Sequence, residues 1–262
     1  MYLEKILERH REAARQDSRV VDHLVNEAKA LSAPRGFIQR LRNDASDHLA
    51  VIAEIKRQSP SKGLLREGLV AREIAVAYEQ GGASCLSVLT DVESFGGSIQ
   101  DLQEARAAVG CPVLRKDFTV SAQDVCDARI MGADCVLLIA AALDQHELSE
   151  FFQLAVELDL DVLVETHDEK EVDRALAVGA TMIGVNQRDL VTFQVDHARA
   201  VRMAALIPNN VVKVAESGVR GPADAQSLRN AGYDAVLVGE SLVVSNDPKT
   251  AIASLREASA KN

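Results

Sequence analysis

Tryptophan is absent from this sequence of 262 residues, and three tyrosines with six phenylalanines bring the aromatic fraction to only 3%. Hydrophobic residues still make up 47% of the chain, so the core must be built mainly from Ala, Val, Leu and Ile. No apolar run approaches the ~20 residues that span a bilayer, and the charged N-terminus lacks the apolar stretch of a secretory signal. We therefore expect no membrane association.

Cysteine is also rare, since the four cysteines lie far apart and never form a CxxC pair. This spacing argues against a disulfide scaffold. Cys85, Cys111 and Cys135 fall at the edge of or within apolar runs, which predicts small, buried hydrophobic side chains. A reducing, cytoplasmic location is expected.

Positive charge is in deficit, with 29 Lys and Arg residues against 39 Asp and Glu residues, a net charge of -10. The pI near 5.1 argues against a nucleic-acid surface, which needs clustered positive charge. An anion can bind only in a local pocket. The charged fraction of 26% is ordinary and the apolar fraction is high, so the chain is not a disordered one.

Eight short apolar runs, rich in β-branched residues, recur at intervals of about 26 residues. They are residues 51–55, 85–89, 112–114, 135–139, 162–164, 182–185, 211–215 and 235–238. Such an interval holds a strand, a helix and two loops. Unbroken apolar runs are typical of parallel strands buried on both faces.

Helical patterns fill the intervals, and several end at a glycine suited to the left-handed position after a helix. Those patterns cover residues 70–80, 100–109, 121–131, 168–178 and 222–231. Eight such units form either a (βα)8 TIM barrel or an open doubly wound sheet. The α/β barrel is favoured because eight strands close and no glycine-rich nucleotide-binding loop follows the first strand.

Residues 1–47 precede the first strand and carry charge-rich helical patterns. We interpret them as an N-terminal helical extension that covers one end of the barrel, within a single barrel domain of residues 1–262. The extension either packs for stability alone or forms a lid that helps to exclude water from the site.

Polar side chains terminate several of the predicted strands, at the barrel end where active sites lie. They are Glu54, Lys56, Lys116, Glu165, Asn186, Arg188 and Glu216. A single charged strand end indicates only a solvated loop, but this recurrence predicts carboxylates and lysines that share one mouth. The set contains no histidine and no loop-ligand spacing, so we expect no metal.

The loops after the last two strands read Ser217-Gly218 and Gly239-Glu240-Ser241. Barrels often bind phosphate there, because glycine lets the backbone approach, serine donates a hydroxyl and a short helix directs its N-terminus at the anion. One Ser-Gly pair alone indicates a turn. The same signal in both loops predicts a phosphate site.

Several segments, in this order and spacing, resemble the indole-3-glycerol phosphate synthase family over essentially the whole chain. They are residues 52–56, 59–63, 114–118, 132–134, 136–139, 183–190 and 214–218. Thr119 and Gln187 depart from the family pattern, and we expect neither to touch a group that does chemistry. The resemblance implies a lyase of tryptophan biosynthesis.

The family converts 1-(2-carboxyphenylamino)-1-deoxyribulose 5-phosphate to indole-3-glycerol phosphate, carbon dioxide and water. The resemblance therefore implies a small phosphorylated substrate, no cofactor, and no nucleic-acid or membrane partner. We expect a monomer, and contact with other tryptophan-pathway enzymes stays open.

The resemblance also implies roles for individual residues. The catalytic set is Glu54, Lys56, Lys116, Glu165, Asn186 and Ser217. Lys116 is the expected general acid, and Glu165 is the first choice as base, although the division of roles with Glu54 and Lys56 stays open. Asp117 is expected to position Lys116.

A binding set follows from the same resemblance. Its substrate contacts are Ser59, Pro60, Phe118, Arg188, Leu190 and Glu216, and its phosphate contacts are Lys56, Ser217, Gly218, Gly239 and Glu240. Arg188 offers a planar fork for the substrate carboxylate, while Phe118, Pro60 and Leu190 wall the aromatic ring. Glu240 is expected to offer its backbone N–H and to turn its carboxylate away.

Three other functions fit parts of this pattern. A Schiff-base aldolase would use Lys116 or Lys56 as its nucleophile. An isomerase of the same pathway would usually need a Cys or Asp acid beyond a strand end, which Cys85, Cys111 and Cys135 do not supply. A non-catalytic metabolite-binding barrel would explain the phosphate loops but not the lysines and glutamates.

Overall fold

The eight predicted strands close into a parallel barrel in a computed structural model that describes residues 2–60, 62–189 and 194–260. The barrel strands are β1 Ala50–Ile55, β2 Cys85–Leu89, β3 Val113–Lys116, β4 Cys135–Ile139, β5 Asp161–Thr166, β6 Met182–Asn186, β7 Val212–Glu216 and β8 Ala235–Val238. Each strand pairs with the next, and β8 pairs with β1, where Ala50 lies opposite Ala235. The predicted (βα)8 fold is thereby confirmed.

Helices cover the outside of the barrel. They are α1 Tyr2–Gln16, α2 Val21–Lys29, α3 Phe37–Ala45, α4 Ala71–Gln80, α5 Val92–Phe95, α6 Ile99–Ala108, α7 Ala122–Ile130, α8 Gln145–Glu157, α9 Glu169–Ala177, α10 His197–Ala204, α11 Pro222–Asn230, α12 Glu240–Val243 and α13 Pro248–Ala258. The predicted left-handed glycines follow α7 and α9, where Gly132 and Gly179 have φ of 97° and 85°. Helix α6 differs, because its cap Val109 is already extended and Gly110 is not left-handed.

The strands alternate between two apolar layers. Ile52 points into the barrel with Leu114, Leu137 and Leu163, whereas its neighbour Val51 packs outward against the helices. Strand alternation produces this division, since successive side chains point to opposite faces. The four cysteines are all buried and free, as the sequence predicts for three of them.

The N-terminal extension contacts both ends of the barrel, where the sequence analysis expected one. Helix α3 closes the end at which the strands begin, because Phe37, Ile38 and Leu41 join the inner core and the Ile38 N–H donates to Asp161 Oδ2 at 2.9 Å. Helix α2 runs outside against α7. Helix α1 reaches the opposite mouth, where Arg11 pairs with Glu147 at 2.7 Å.

Two short features lie outside the barrel pattern. Gln58–Ser59 pairs with Gly63–Leu64 in an antiparallel ladder just beyond β1. A 3₁₀ turn, Ala140–Ala142, follows β4. No helix in the described ranges combines the length and apolarity needed to cross a bilayer.

The plug formed by α3 predicts a large stability effect for Phe37, which is fully buried. Phe37→Ala should lower the free energy of unfolding by about 3–5 kcal/mol, because it leaves a cavity beneath the barrel core. Urea unfolding measures the effect, and Leu31→Ala, at a side chain that is 41% exposed, is the control. Equal unfolding midpoints for Phe37→Ala and the unaltered protein would contradict this role.

Candidate active site

A cavity of about 670 Å³ opens at the carboxyl ends of the strands. It is lined by the predicted residues Glu54, Lys56, Ser59, Pro60, Lys116, Phe118, Glu165, Asn186, Arg188, Glu216, Ser217, Gly218, Gly239 and Glu240. The remaining predicted residue, Leu190, lies outside the described residues. Groups far apart in sequence therefore face one space, because parallel strands of a barrel all end at the same mouth.

Lys116 lies at the centre of the charged groups. Its Nζ is 2.8 Å from Glu165 Oε2 and 3.7 Å from Glu216 Oε2. Burial alone lowers the pKa of Lys116, but the carboxylates of Glu165, Glu216 and Glu54 outweigh it and raise this pKa above its ordinary value. The side chain is therefore an ammonium group at neutral pH.

Glu165 is held from two sides. Its Oε1 accepts a hydrogen bond from Asn186 Nδ2 at 3.0 Å and lies 3.3 Å from His167 Nε2, while Oε2 faces Lys116. Burial raises the pKa of Glu165, but Lys116 and His167 bring it well below the usual carboxyl range. Glu165 is therefore an ionised carboxylate at neutral pH.

The pKa of Glu216 is shifted in the opposite direction to that of Glu165, although both carboxyl groups lie near Lys116. Burial and the nearby Glu165 carboxylate raise the pKa of Glu216 to about 8, against the lowering effect of Lys116. The side chain packs over Gly184, where a Cβ would collide with Glu216 Oε1. One pocket thus holds an ionised and a protonated carboxyl group together.

A second ion pair lies at the end of β1. Lys56 Nζ is 2.6 Å from Glu54 Oε1. Both groups lie against Gly239, because a Cβ at that position would collide with Glu54 Oε1 and meet Lys56 Nζ at 3.0 Å. Glycine at the end of β8 therefore brings the loop backbone next to the lysine.

The two loops after β7 and β8 lie on one side of the cavity. Ser217 and Gly218 both have left-handed backbones, with φ of 64° and 77°. The Glu240 carboxylate, 38% exposed, lies 3.7 Å from Lys62 Nζ and 4.0 Å from Arg188 Nη2. Cations at the rim thus hold the Glu240 side chain.

One cluster has metal-like spacing. The potential ligand atoms of His10, Asp91 and Asp117 lie within 4.8 Å of one another. Arg9 already pairs with Asp91, and Arg115 Nη2 lies 3.3 Å from Asp117 Oδ2. Both carboxylates therefore already neutralise cationic side chains, and the cluster joins α1 to the barrel.

Comparisons with known proteins point to one family. The model of indole-3-glycerol phosphate synthase matches residues 3–255. The indole-3-glycerol phosphate synthase of Mycolicibacterium vanbaalenii is 49% identical over 248 residues, which cover 95% of this chain and 90% of that protein. The indole-3-glycerol phosphate synthase 1 of Streptomyces coelicolor is 49% identical over 243 residues, which cover 93% of this chain and 89% of that protein. The chain belongs to the indole-3-glycerol phosphate synthase family.

Membership of the indole-3-glycerol phosphate synthase family confirms the predicted activity, that of a carboxy-lyase in tryptophan biosynthesis. It favours this activity over the aldolase, isomerase and binding-barrel alternatives.

Solved structures of lower identity are similar in fold alone. A thiamine phosphate pyrophosphorylase from Pyrococcus furiosus has a TM-score of 0.62 and 16% identity, covering 83% of this chain and 96% of that one. A 3-hexulose-6-phosphate synthase has a TM-score of 0.64 and 17% sequence identity, and the match covers 81% of this chain and 100% of that one.

Two expectations about the synthase site were wrong. Asp117 does not pair with Lys116 in the described structure; its carboxylate binds Arg115 and accepts from the Thr90 hydroxyl. Adjacent residues on a strand point to opposite faces, which separates their side chains. Gln187 is 1% exposed and donates to the Ser217 carbonyl at 2.7 Å, so it supports a loop of the site.

Sequence reasoning also missed the histidines of the synthase site: His197 lines the cavity, while His167 and His10 contact residues that line it. His167 follows Glu165 by two residues, so strand alternation was a usable signal for it. His10 stacks on Phe118, with ring centroids 5.4 Å apart. Nothing local in the sequence indicates this contact, because α1 and β3 meet only in the tertiary structure.

The raised pKa of Glu216 predicts a pH-dependent loss of stability. The folded protein keeps this proton up to about pH 8, whereas the unfolded chain releases it near 4.5. The unfolded state is therefore increasingly favoured as pH rises from about 5 to 8, by on the order of a few kcal/mol. Glu216→Gln should remove this part of the pH dependence.

Urea unfolding of both proteins at pH 5 and pH 8 tests the prediction. The Gln variant should gain stability relative to the unaltered protein at pH 8 and less at pH 5. Parallel pH dependence in the two proteins would show that Glu216 titrates normally.

Proposed function

We propose that this chain converts 1-(2-carboxyphenylamino)-1-deoxyribulose 5-phosphate to indole-3-glycerol phosphate, with Lys116 as general acid and Glu165 as base. The observation that supports these roles most directly is the position of Lys116 Nζ, between Glu165 and Glu216 in the mouth of the barrel. Carbon dioxide and water leave during the reaction.

Ring closure needs a proton donor. The aromatic carbon is a weak nucleophile towards a ketone, so the carbonyl oxygen must receive a proton as charge develops on it. The raised pKa of Lys116 keeps its ammonium group in place for this step. Loss of the ring carboxylate as carbon dioxide then restores the aromatic ring.

Dehydration needs an acid and a base. Glu165 serves as the base, because its low pKa leaves it ionised. Glu216, with a pKa of about 8, holds a proton at neutral pH and is a second donor beside Lys116. Asn186 orients the base through its 3.0 Å hydrogen bond. The departing hydroxyl takes a proton from one of these donors.

The substrate phosphate binds at the last two loops. Ser217, Gly218, Gly239 and the Glu240 backbone N–H line that side of the cavity. Lys56 supplies the positive charge, because its ammonium group lies against Gly239. The glycines let the backbone approach the anion. The Glu240 carboxylate faces Lys62 and Arg188 instead.

The aromatic end of the substrate binds opposite the phosphate. Arg188 holds the ring carboxylate through its planar guanidinium. Phe118 and Pro60 wall the ring, with Ser59 beside them. Leu3 and Ile6 of α1 line the same cavity, which supports the lid interpretation of this helix.

The setting of the enzyme follows from its chemistry. Ring closure with loss of carbon dioxide and water involves no net redox change, so the reaction needs no redox cofactor. We also propose a monomer in the cytoplasm, where the four buried thiols stay reduced. Contact with other enzymes of the tryptophan pathway belongs to the same proposal.

Lys116→Met tests the proposed acid. It keeps the length of the side chain and removes the proton, so kcat should fall at least about a hundredfold. Indole absorbance during incubation with the carboxyphenylamino-ribulose phosphate measures the rate. The control is Lys29→Met, on α2 in an exposed ion pair with Glu157. Near-normal kcat in Lys116→Met would exclude Lys116 as the acid.

Ile6→Ser tests whether α1 is part of the substrate pocket. This side chain is buried and lines the cavity, so its loss should raise KM about tenfold through lost apolar contact. Val20→Ser, at an exposed position before α2, is the control. If kcat and KM are unchanged in both variants, α1 is not part of the substrate pocket and serves only to pack against the barrel.

A further inference from the structure

His167 is a partly buried ionisable group beside the mouth that the proposed mechanism has not used. It lies just beyond β5, with a side chain only 12% exposed. Its Nε2 is 3.3 Å from Glu165 Oε1, and its Nδ1 is 3.1 Å from Glu171 Oε2. The ring therefore lies between two carboxylates.

Glu171 is itself fixed in place. Its Oε2 also accepts the His167 backbone N–H at 2.7 Å, and its own backbone N–H donates to Asp168 Oδ1 at 2.9 Å. Asp168 is the N-cap of α9. The cap therefore orients Glu171, and Glu171 orients the imidazole ring.

The two oxygens of Glu165 face different partners. Oε1 faces His167 and Asn186, whereas Oε2 faces Lys116. One oxygen is thus occupied by groups that hold the carboxylate, and the other is directed at the proposed acid and the cavity.

We propose that His167 is a positioning residue: oriented by Glu171, it holds Oε1 of Glu165 so that Oε2 stays ionised and aimed at the reacting atoms. This inference rests on the proposed role of Glu165 as base. It adds a Glu171–His167–Glu165 chain, from the N-terminus of α9 to the cavity.

The surroundings favour a doubly protonated ring, because each nitrogen faces a carboxylate oxygen. Nδ1 has hydrogen-bond geometry towards Glu171, whereas Nε2 makes a 3.3 Å ion-pair contact with Glu165 without a formal hydrogen bond. The pKa agrees with this state: burial lowers it, but Glu165 and Glu171 outweigh burial and raise the pKa of His167 to about 9. Glu165 is consequently held between two cations, His167 and Lys116.

Other charged groups face the histidine from the neighbouring helices. Asp168, Glu169 and Lys170 of α9 and Arg199 and Arg202 of α10 line a cleft together with His167. The end of β5 has a tether of its own beside the ring, since Thr166 Oγ1 donates to the Gly184 carbonyl at 2.9 Å. A change at His167 should therefore act on Glu165 more than on the strand.

His167→Asn tests the role. With the imidazolium gone, Glu165 is misplaced and less acidic, so kcat should fall about ten- to hundredfold while KM changes little. The acidic limb of the kcat profile should move to higher pH by about one unit. Glu171→Gln should shift the limb in the same direction by less. The control is His146→Asn, at an exposed residue of α8.

These variants distinguish the role of His167 from that of Glu165. A normal kcat and an unmoved acidic limb in His167→Asn overturn the proposal, as does a change confined to KM. If His167→Asn fails to fold, Glu171→Gln decides alone by the presence or absence of the limb shift. Glu165→Gln separates the two claims: if it keeps its kcat, the base assignment itself fails. If Glu165→Gln is inactive while His167→Asn is normal, only the role of His167 fails.

Discussion

Buried charge is the constraint on which this site depends. Lys116 is largely removed from water, with 16% of its side chain exposed, and an unpaired ammonium there would be expensive. Glu165 at 2.8 Å and Glu216 at 3.7 Å compensate for it. Burial of Glu216 and the nearby Glu165 carboxylate together outweigh Lys116, and they raise the pKa of Glu216 to about 8, so that it keeps a proton at neutral pH. The acid and base character of the mouth thus follows from electrostatic balance inside a closed barrel.

The barrel creates that balance because its interior side chains are apolar at one end and charged at the other. Toward the bottom, aliphatic side chains such as Leu114 and Leu163 join the α3 residues in one apolar core. Toward the mouth, Gly184 and Gly239 leave room for Glu216 and for the Glu54–Lys56 pair. The same strands therefore carry an apolar base and a polar rim, with the apolar base excluding water beneath the charged groups.

The N-terminal extension connects the two ends of the molecule. Its third helix belongs to the core, and its first helix reaches the mouth through His10, Arg11 and the apolar residues that face the cavity. The same N-terminal segment therefore contributes both to the stability of the protein and to its substrate pocket. Removing the whole segment would affect both properties at once, whereas single changes in α1 or α3 separate them.

The sequence alone determined the repeat, the barrel and the strand ends. Apolar runs such as 135–139 report burial on both faces, which is a local property, and eight regular units leave few ways to close. Glu54, Lys116 and Glu165 could be placed at one mouth for the same reason. His167 was within reach of the same strand alternation, although the sequence analysis did not use it.

Only the tertiary structure decided the partners. Asp117 binds Arg115 and Thr90 instead of Lys116, Gln187 supports Ser217, and His10 meets Phe118. The contact of the N-terminal extension with both ends of the barrel could not be predicted from the sequence either. Contacts between distant segments, and the pKa values that depend on them, are set by side-chain distances of a few ångströms. Residue spacing along a chain carries no such distances.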